Sequence, residues 1–441
     1  MSEAAGSELP RIEPRRLERA AGRGSARAGL LVFIVCFVAY LAAIGLPATP
    51  GNELGARETR ILLTTTSLLN DGDFELTNDY RSAGWRAFGG PPAKPAGLVI
   101  DGRLIEPHGF LFPTLLAPAY LIGGVTAVKL LLALITALGM VAAAALARRL
   151  VPDPWASGAA IAVGVSPPLV IAATTIRPAA TCATVIAVAA LLALRVRGTP
   201  GARNALGAGA LLALIPWLGT IAILPAAVVA VALYRWLSRR AHGWVGLMAL
   251  ELVLVSVVFY ISVNARIFGG LTPFAASSIK NPPTGAANVG DYIARLPRLA
   301  ELFLAPKIGL LLVAPVLALA FVSVGLMWRS RKARLARALP IAADVEVAAG
   351  FFTAICIAAI VTAVLAVPSF GAMSPGEPLV VTLPVAAALA SWGLRRYPRT
   401  GVALAAVGAL LTVWLLIAGY AAADVGVAPL TGPLPWSVFG G

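Results

Sequence analysis

Charge is scarce in this chain. Of 441 residues only 12% are charged, while 59% are hydrophobic. There are 20 acidic residues and two histidines. Lysine is rare: Lys94, Lys129, Lys280, Lys307 and Lys332 are the only ones, and the other basic residues are arginine. That skew, with abundant alanine, points to a GC-rich bacterial genome. Cysteines are three, and Cys36, Cys182 and Cys356 all fall in apolar runs. Their odd number and placement exclude a disulfide framework and a cysteine-based metal cluster, leaving buried free thiols. The net charge of +15 belongs to the inner loops of a membrane protein and is no footprint of nucleic-acid binding.

What the chain has in quantity is apolar sequence. A bilayer span needs roughly 20 mostly apolar residues, because the hydrocarbon core is about 30 Å thick. Runs of this kind recur at 29–46, 125–147, 156–174, 179–195, 204–218, 219–236, 243–264, 308–328, 346–366, 378–394 and 401–422. The pattern predicts an all-α, polytopic membrane protein of about eleven transmembrane helices. Pro216 and Pro225 interrupt the fifth and sixth runs, which are also short. The first run is of full span length and has no small-residue cleavage site, so it is not read as a cleaved signal.

Basic clusters orient the spans. They fall in the N-terminal tail (Arg11 to Arg27) and then at every second junction: Arg148–Arg149, Arg195–Arg203, Arg235–Arg240, Arg329–Arg337 and Arg395–Arg399. Short cytoplasmic loops are the ones enriched in Lys and Arg. The alternation holds only with the N-terminus inside and the C-terminus outside, in a bacterial plasma (inner) membrane. The chain then divides into a disordered basic tail (1–28), a transmembrane domain (29–422) and an outer-face tail (423–441).

Eight of the 20 acids sit in one polar loop, 47–108. A loop of that length is usually functional or disordered. Within it, Ile61, Leu62, Leu68 and Leu69 keep helical spacing and predict a helix over 58–69, apolar side down on the membrane surface. "LVIDGRLIEPHGF" reads as two short strands about a turn at Asp101–Gly102. The Pro-broken apolar stretch 109–124 reads as re-entrant or interfacial. A second outer loop spans 265–306, with a surface helix in "DYIARLPRLAELF" broken at Pro297. A third, 367–377, holds "VPSFGAMSPGE".

The segments "RETRILLTTTSLLNDGDFELTNDY" and "DGRLIEPHGFLFPTLLAPAYLIGG", followed by a span bearing Lys129, resemble the start of the GT-C superfamily of integral-membrane glycosyltransferases. The similarity is to the protein O-mannosyltransferase-like and aminoarabinose-transferase-like branch. Later stretches, among them "SPGEPLVVTLPVAAALA", fit more loosely. The resemblance implies a polyprenyl-phosphate-linked sugar donor, a cell-envelope acceptor, an inverting mechanism, and an outer-loop carboxylate as base. It also marks two departures. Aligned through "LLTTTSLL", relatives open the surface helix with Asp-Glu, where this chain has Arg57-Glu58. Near the end, relatives carry an arginine at about the place of Glu377. The paired inversion suggests that Arg57 and Glu377 meet across the cavity mouth.

The chemistry explains the need for such a loop. A sugar hydroxyl is a poor nucleophile, so a carboxylate must take its proton as it attacks. A lipid-phosphate leaving group needs cations. Glu58 and Glu53 are the candidate bases; Glu58 also suits a helix start electrostatically. Lys129, one turn inside its span, and Arg177, between spans, are candidate phosphate contacts, since charges at membrane depth are functional by default. The lysine can also snorkel to the interface. Arg57, His108, Asp79 and Glu377 are further candidates for lipid-phosphate or substrate contact. Asp71 and Asp73 could ligate a divalent metal, although Asn-Asp-Gly-Asp is also ordinary turn chemistry; no cofactor is assigned. Glu251, within the seventh span, is read as pairing between helices. The expected partners are the lipid-linked donor and membrane lipids. Two other readings remain open: a transporter or flippase for a lipid-linked saccharide, given the Pro-broken spans, and a catalytically inactive GT-C-like scaffold in envelope assembly.

Overall fold

The computed structural model describes residues 14–46, 53–199, 201–239, 243–276, 289–306, 309–336, 340–367 and 373–425. Each apolar run has become helix. Helix α1 (Pro14–Leu41) is followed by the long loop, which carries α2 (Ala56–Asn70), α3 (Thr77–Arg81) and the hairpin β1 (Val99–Ile100) and β2 (Arg103–Leu104). Then come α4 (Leu111–Ala147), α5 (Trp155–Gly164), α6 (Pro167–Thr174), α7 (Pro178–Gly198), α8 (Ala202–Leu218), α9 (Ile223–Ser238) and α10 (Gly243–Phe268). The second loop holds α11 (Val289–Ile293) and α12 (Arg298–Leu304), on either side of Pro297 as expected. The chain closes with α13 (Leu310–Val313), α14 (Ala318–Ala336), α15 (Pro340–Ala366), α16 (Leu383–Arg396) and α17 (Pro398–Val425).

Among the described residues eight helices are long and apolar enough to span a membrane. The bent pair α5–α6, which meets at 62°, makes a further broken span, and α8 and the 315–329 segment are shorter apolar helices. These account for all eleven runs. Tyr420, near the end of α17, donates from its hydroxyl to the Ala42 carbonyl just past α1 at 2.8 Å. Helix α17 therefore ends at the end of the bundle to which α1 leads.

Broken helices need their freed backbone groups satisfied. At the α5–α6 break, Thr412 of α17 donates to the Val165 carbonyl at 2.6 Å. Near Pro216 in α8, Ser256 of α10 donates to the Ala213 carbonyl at 2.5 Å. Between α4 and α7, Thr184 Oγ1 donates to the Ile135 carbonyl at 3.0 Å. Such polar ties supply cohesion that hydrophobic exclusion cannot supply inside lipid.

Two expectations are corrected. Helix α1 begins at Pro14, so the half of the 1–28 tail from that residue on is helical. Segment 109–124 forms the first part of α4, set off from the span that follows by a kink where Gly124 has φ +59°, a conformation only glycine takes freely. Helix α2 stands in the first loop where the surface helix is expected. Glu58, Thr59, Ile61, Leu62, Leu63, Thr64, Thr65 and Ser67 are all buried, so protein covers it on several sides. Glu251 also differs from its reading, lying exposed on α10 among lipid-facing Leu247, Leu254 and Val258. His242, Lys280, Lys307 and most of the 423–441 tail lie outside the described residues.

Candidate active site

The site is built around the entry to α2. Glu58 stands at the third helical position and is only 2% exposed. Its Oε2 accepts from the Gly55 backbone N–H at 2.7 Å, closing the helix start in the manner of a capping box. Its Oε1 accepts from the Ile176 N–H at 2.7 Å, 118 residues away in the α6–α7 connection. One buried carboxylate thus pins the long loop to the membrane bundle. The next residue after Ile176 is Arg177, so the same tie brings Arg57 and Arg177 together.

Arg177 is ion-paired with Glu377, which opens the turn leading into α16. Gly376 aims that glutamate: its φ is +72°, and an added Cβ would come within 2.8 Å of Leu310 and 3.0 Å of Pro168. The other oxygen of Glu377, Oε2, accepts from the Ser374 N–H at 2.8 Å. The Nε of Arg177 is enclosed and meets no acceptor among the described residues.

Arg57 joins them as a third charge. Its chain is open to solvent on one side, but its guanidinium sits in a positive neighbourhood. Burial first, then the like charges of Arg177 and Arg60, pull it below the usual arginine value, while Glu377 opposes them. The expected meeting of Arg57 and Glu377 is therefore an electrostatic one, and the direct partner of Glu377 is Arg177. Arg57 and Arg177 share one neutralising carboxylate here.

Lys129 and Glu53 extend the site. Lys129 is 3% exposed, and its ammonium donates to the Ile44 carbonyl at 3.1 Å. It lies 3.9 Å from Glu53 Oε2. The Glu53 side chain is 69% exposed. Four residues separate Glu53 from Arg57, at most about 14 Å of extended chain, so the two belong to one neighbourhood.

Arg60 was not singled out in the sequence, although it follows Arg57 by one helical turn. It connects the guanidinium cluster to a second network. Its Nε lies 3.7 Å from Glu106 Oε2. Glu106, 2% exposed, also accepts from the Tyr80 hydroxyl and from the Ala96 N–H at 3.2 Å. Burial raises the Glu106 pKa; the bonds from Tyr80 and Ala96 and the charge of Arg60 restrain the rise. Tyr80 is thus a hydrogen-bond donor inside the loop. His108 has its Nε2 enclosed without a partner among the described residues. Burial, then Arg60, push its pKa down to about 4, so it is neutral near pH 7.

The remaining acids lie at the far end of α2. Asn78 donates to Asp71 at 2.8 Å and Ser67 to Asp73 at 3.3 Å. Burial and then Asp71 raise the Asp79 pKa. Asp79 Oδ2 meets no donor among the described residues. No three His, Cys, Asp or Glu side chains among the described residues converge to hold a metal ion. Asp71 and Asp73 are held by turn bonds of the ordinary kind.

No protein-family model and no curated protein matches the sequence. Solved structures do resemble it. The structure of ArnT from Cupriavidus metallidurans bound to undecaprenyl phosphate aligns with a TM-score of 0.53 at 14% identity, over 90% of this chain and 72% of that one. The apo ArnT structure gives 0.48 at 15% identity, over 92% and 72%. The apo oligosaccharyltransferase of Archaeoglobus fulgidus gives 0.45 at 13% identity, over 92% of this chain and 56% of the other. At such identity the likeness is one of fold: this chain is folded as the ArnT structure is.

Proposed function

We propose that the chain is a membrane glycosyltransferase that moves a sugar from a polyprenyl-phosphate donor to a cell-envelope acceptor at the end of the bundle bearing α2, the outer face. The observation that carries this reading is the charge arrangement at the α2 entry. Arg57 and Arg177 share one carboxylate, Glu377, while Arg60 at their edge pairs with Glu106, and Arg177 keeps a spare N–H. Such a site is short of negative charge, and a lipid phosphate supplies it. The similar ArnT fold was solved with undecaprenyl phosphate bound, which supports the same donor class.

In this reading Glu53 is the base. Both oxygens of Glu58 are occupied by backbone N–H donors, whereas Glu53 is exposed and among the described residues ion-pairs with Lys129 alone, at the edge of ion-pair distance. Glu53 takes the proton from the acceptor hydroxyl as its oxygen bonds to the sugar's anomeric carbon. The bond from that carbon to the phosphate oxygen breaks on the opposite face. The phosphate leaves with the electron pair, and Arg57 and Arg177 stabilise its added charge. Lys129 holds Glu53 toward the site.

The test is sugar transfer from a polyprenyl-phosphate donor in proteoliposomes. Glu53→Gln is expected to slow transfer by about 10²–10⁴-fold, the usual worth of a positioned base, with folding intact. Arg177→Ala is expected to weaken donor binding. Full transfer by Glu53→Gln would remove it as base. A second reading is favoured by Arg57, the cation that stands where the resemblance expects a carboxylate: a scaffold that binds lipid phosphate and transfers nothing. Donor binding lost in Arg177→Ala, with no transfer by the wild type toward any donor sugar, selects that reading.

A further inference from the structure

At the end of the bundle opposite α2, a groove of about 420 Å³ runs between α1 and α4. Leu30, Phe33, Leu138 and Val141 line its length, with Ser25 and Arg148 at the end where α4 stops. Gly29 and Ala145 supply the hollow. The volume lies within the ~300–1,000 Å³ typical of small-molecule sites. The walls face lipid, with Leu30 58% and Leu138 49% exposed.

Arg148 makes this more than a seam between helices. Its Nε donates to Asp153 at 2.7 Å, and Asp153 is held in turn by the Ser157 N–H at 3.0 Å. Its Nη2 is enclosed and meets no acceptor among the described residues. Arg149 follows it in sequence and Arg27 follows the groove residue Ala26, and both are exposed. The negative end of the α4 dipole falls here too, and the two arginines offset it. An apolar trough that leads to an unpaired guanidinium donor has the form of an acyl chain joined to a phosphate. A soluble anion would leave the trough empty. A zwitterionic headgroup would bring its own cation toward Arg149.

We propose that the α1–α4 groove is a structural site for one anionic diacyl phospholipid from the leaflet at this end. Its acyl chain lies along Phe33 and Val141, and its phosphate accepts from the exposed part of the Arg148 guanidinium. The site is separate from the α2 entry and independent of the sugar chemistry proposed there.

The test uses purified full-length protein in detergent. Dioleoyl phosphatidylglycerol, dioleoyl phosphatidylcholine and glycerol 3-phosphate are titrated separately, with lipid retention read by native mass spectrometry. The wild type is expected to prefer the anionic lipid about tenfold, the margin of one charge-assisted hydrogen bond, and to retain no glycerol phosphate. Arg148→Gln is expected to abolish the preference. Leu138→Trp and Ala145→Trp, which fill the trough from different positions, are expected to lose the bound lipid; either suffices if the other fails to fold. Asp153→Asn removes the ion pair but keeps the guanidinium, and is expected to bind at least as tightly as the wild type. Equal retention of the two lipids, unchanged preference in Arg148→Gln, or a loss in Asp153→Asn equal to that in Arg148→Gln would overturn the proposal.

Discussion

Glu58→Gln separates a structural carboxylate from a catalytic one. In the native chain each Glu58 oxygen accepts one backbone N–H at 2.7 Å, from Gly55 and from Ile176, in a setting 2% exposed. A glutamine keeps one acceptor oxygen and turns an NH₂ toward the other donor. One charge-assisted bond becomes neutral and the other is lost, leaving a buried N–H facing an N–H. A bond to a charged group contributes about 1.5–3 kcal/mol, and an orphaned buried donor costs about 1–3 kcal/mol. The expected loss is therefore about 2–4 kcal/mol, and somewhat more for Glu58→Ala, which loses both bonds. It should appear as a lower midpoint of unfolding in detergent and as faster proteolysis within 53–110, because the tie between loop and bundle is gone. Arg57 would also move from Arg177, so donor affinity should fall while transfer at saturating donor persists. Stability within about 0.5 kcal/mol of wild type, the range of an ordinary surface change, combined with abolished transfer, would refute the reasoning and return Glu58 to the role of base.

Two further outcomes concern the loop network. Tyr80→Phe removes the hydroxyl bond that restrains the Glu106 pKa, so Glu106 should titrate higher still, and the loop should lose about 1–3 kcal/mol of stability; an unchanged Glu106 titration by carboxylate spectroscopy would count against that bond. His108 is held neutral, with its pKa near 4 against an ordinary 6.5. An unfolded chain therefore binds the proton first, so stability is full above about pH 6.5 and drains as pH falls from 6.5 toward 4; a His108→Gln variant should lose that slope, and an identical pH profile would show that His108 is not its source.

Spans and loop order were legible in the sequence because apolar length in a bilayer leaves few alternatives. The helix expected over 58–69 is α2 (Ala56–Asn70), read from local spacing that its environment does not alter. Its burial was not legible. Apolar spacing on one side predicts a surface helix, but threonines 59, 64 and 65 on other sides are buried too, each bonded to a nearby backbone carbonyl of its own segment. Polar residues that satisfy themselves in this way carry no outward mark of burial. Glu53, Glu58, Lys129 and Arg177, each found singly, share one neighbourhood with Arg57 and Glu377, which were expected to meet. Their pairing was not readable, because 118 residues separate Glu58 from Ile176 and 200 separate Arg177 from Glu377. Arg60 was missed for a related reason: an arginine in a helix usually faces solvent, and only its contact with Glu106 reveals otherwise.

Two departures from the resembled superfamily, Arg57 and Glu377, prove to be neighbours of the same Arg177, which bears on whether they arose as one change. An arginine at position 57 beside Arg60 and Arg177 leaves three like charges together. A glutamate at 377, ion-paired to Arg177, offsets one of them. If the inversions compensate each other, reverting both should be milder than reverting either. Glu377→Arg alone puts four guanidinium groups in one place, and Arg57→Asp alone sets two carboxylates near Arg177. The double variant restores a single arrangement of alternating charge. The expected coupling is about 0.5–3 kcal/mol, the range for residues in one ion-pair network, measured as the difference between the double variant's stability change and the sum of the singles. The double variant also returns a carboxylate to position 57, where the resemblance places the base, so transfer in it should no longer depend on Glu53. Additivity within about 0.3–0.5 kcal/mol would mean that the two inversions are independent. Continued dependence on Glu53 would mean that the site has been rebuilt around that residue, and not merely recharged.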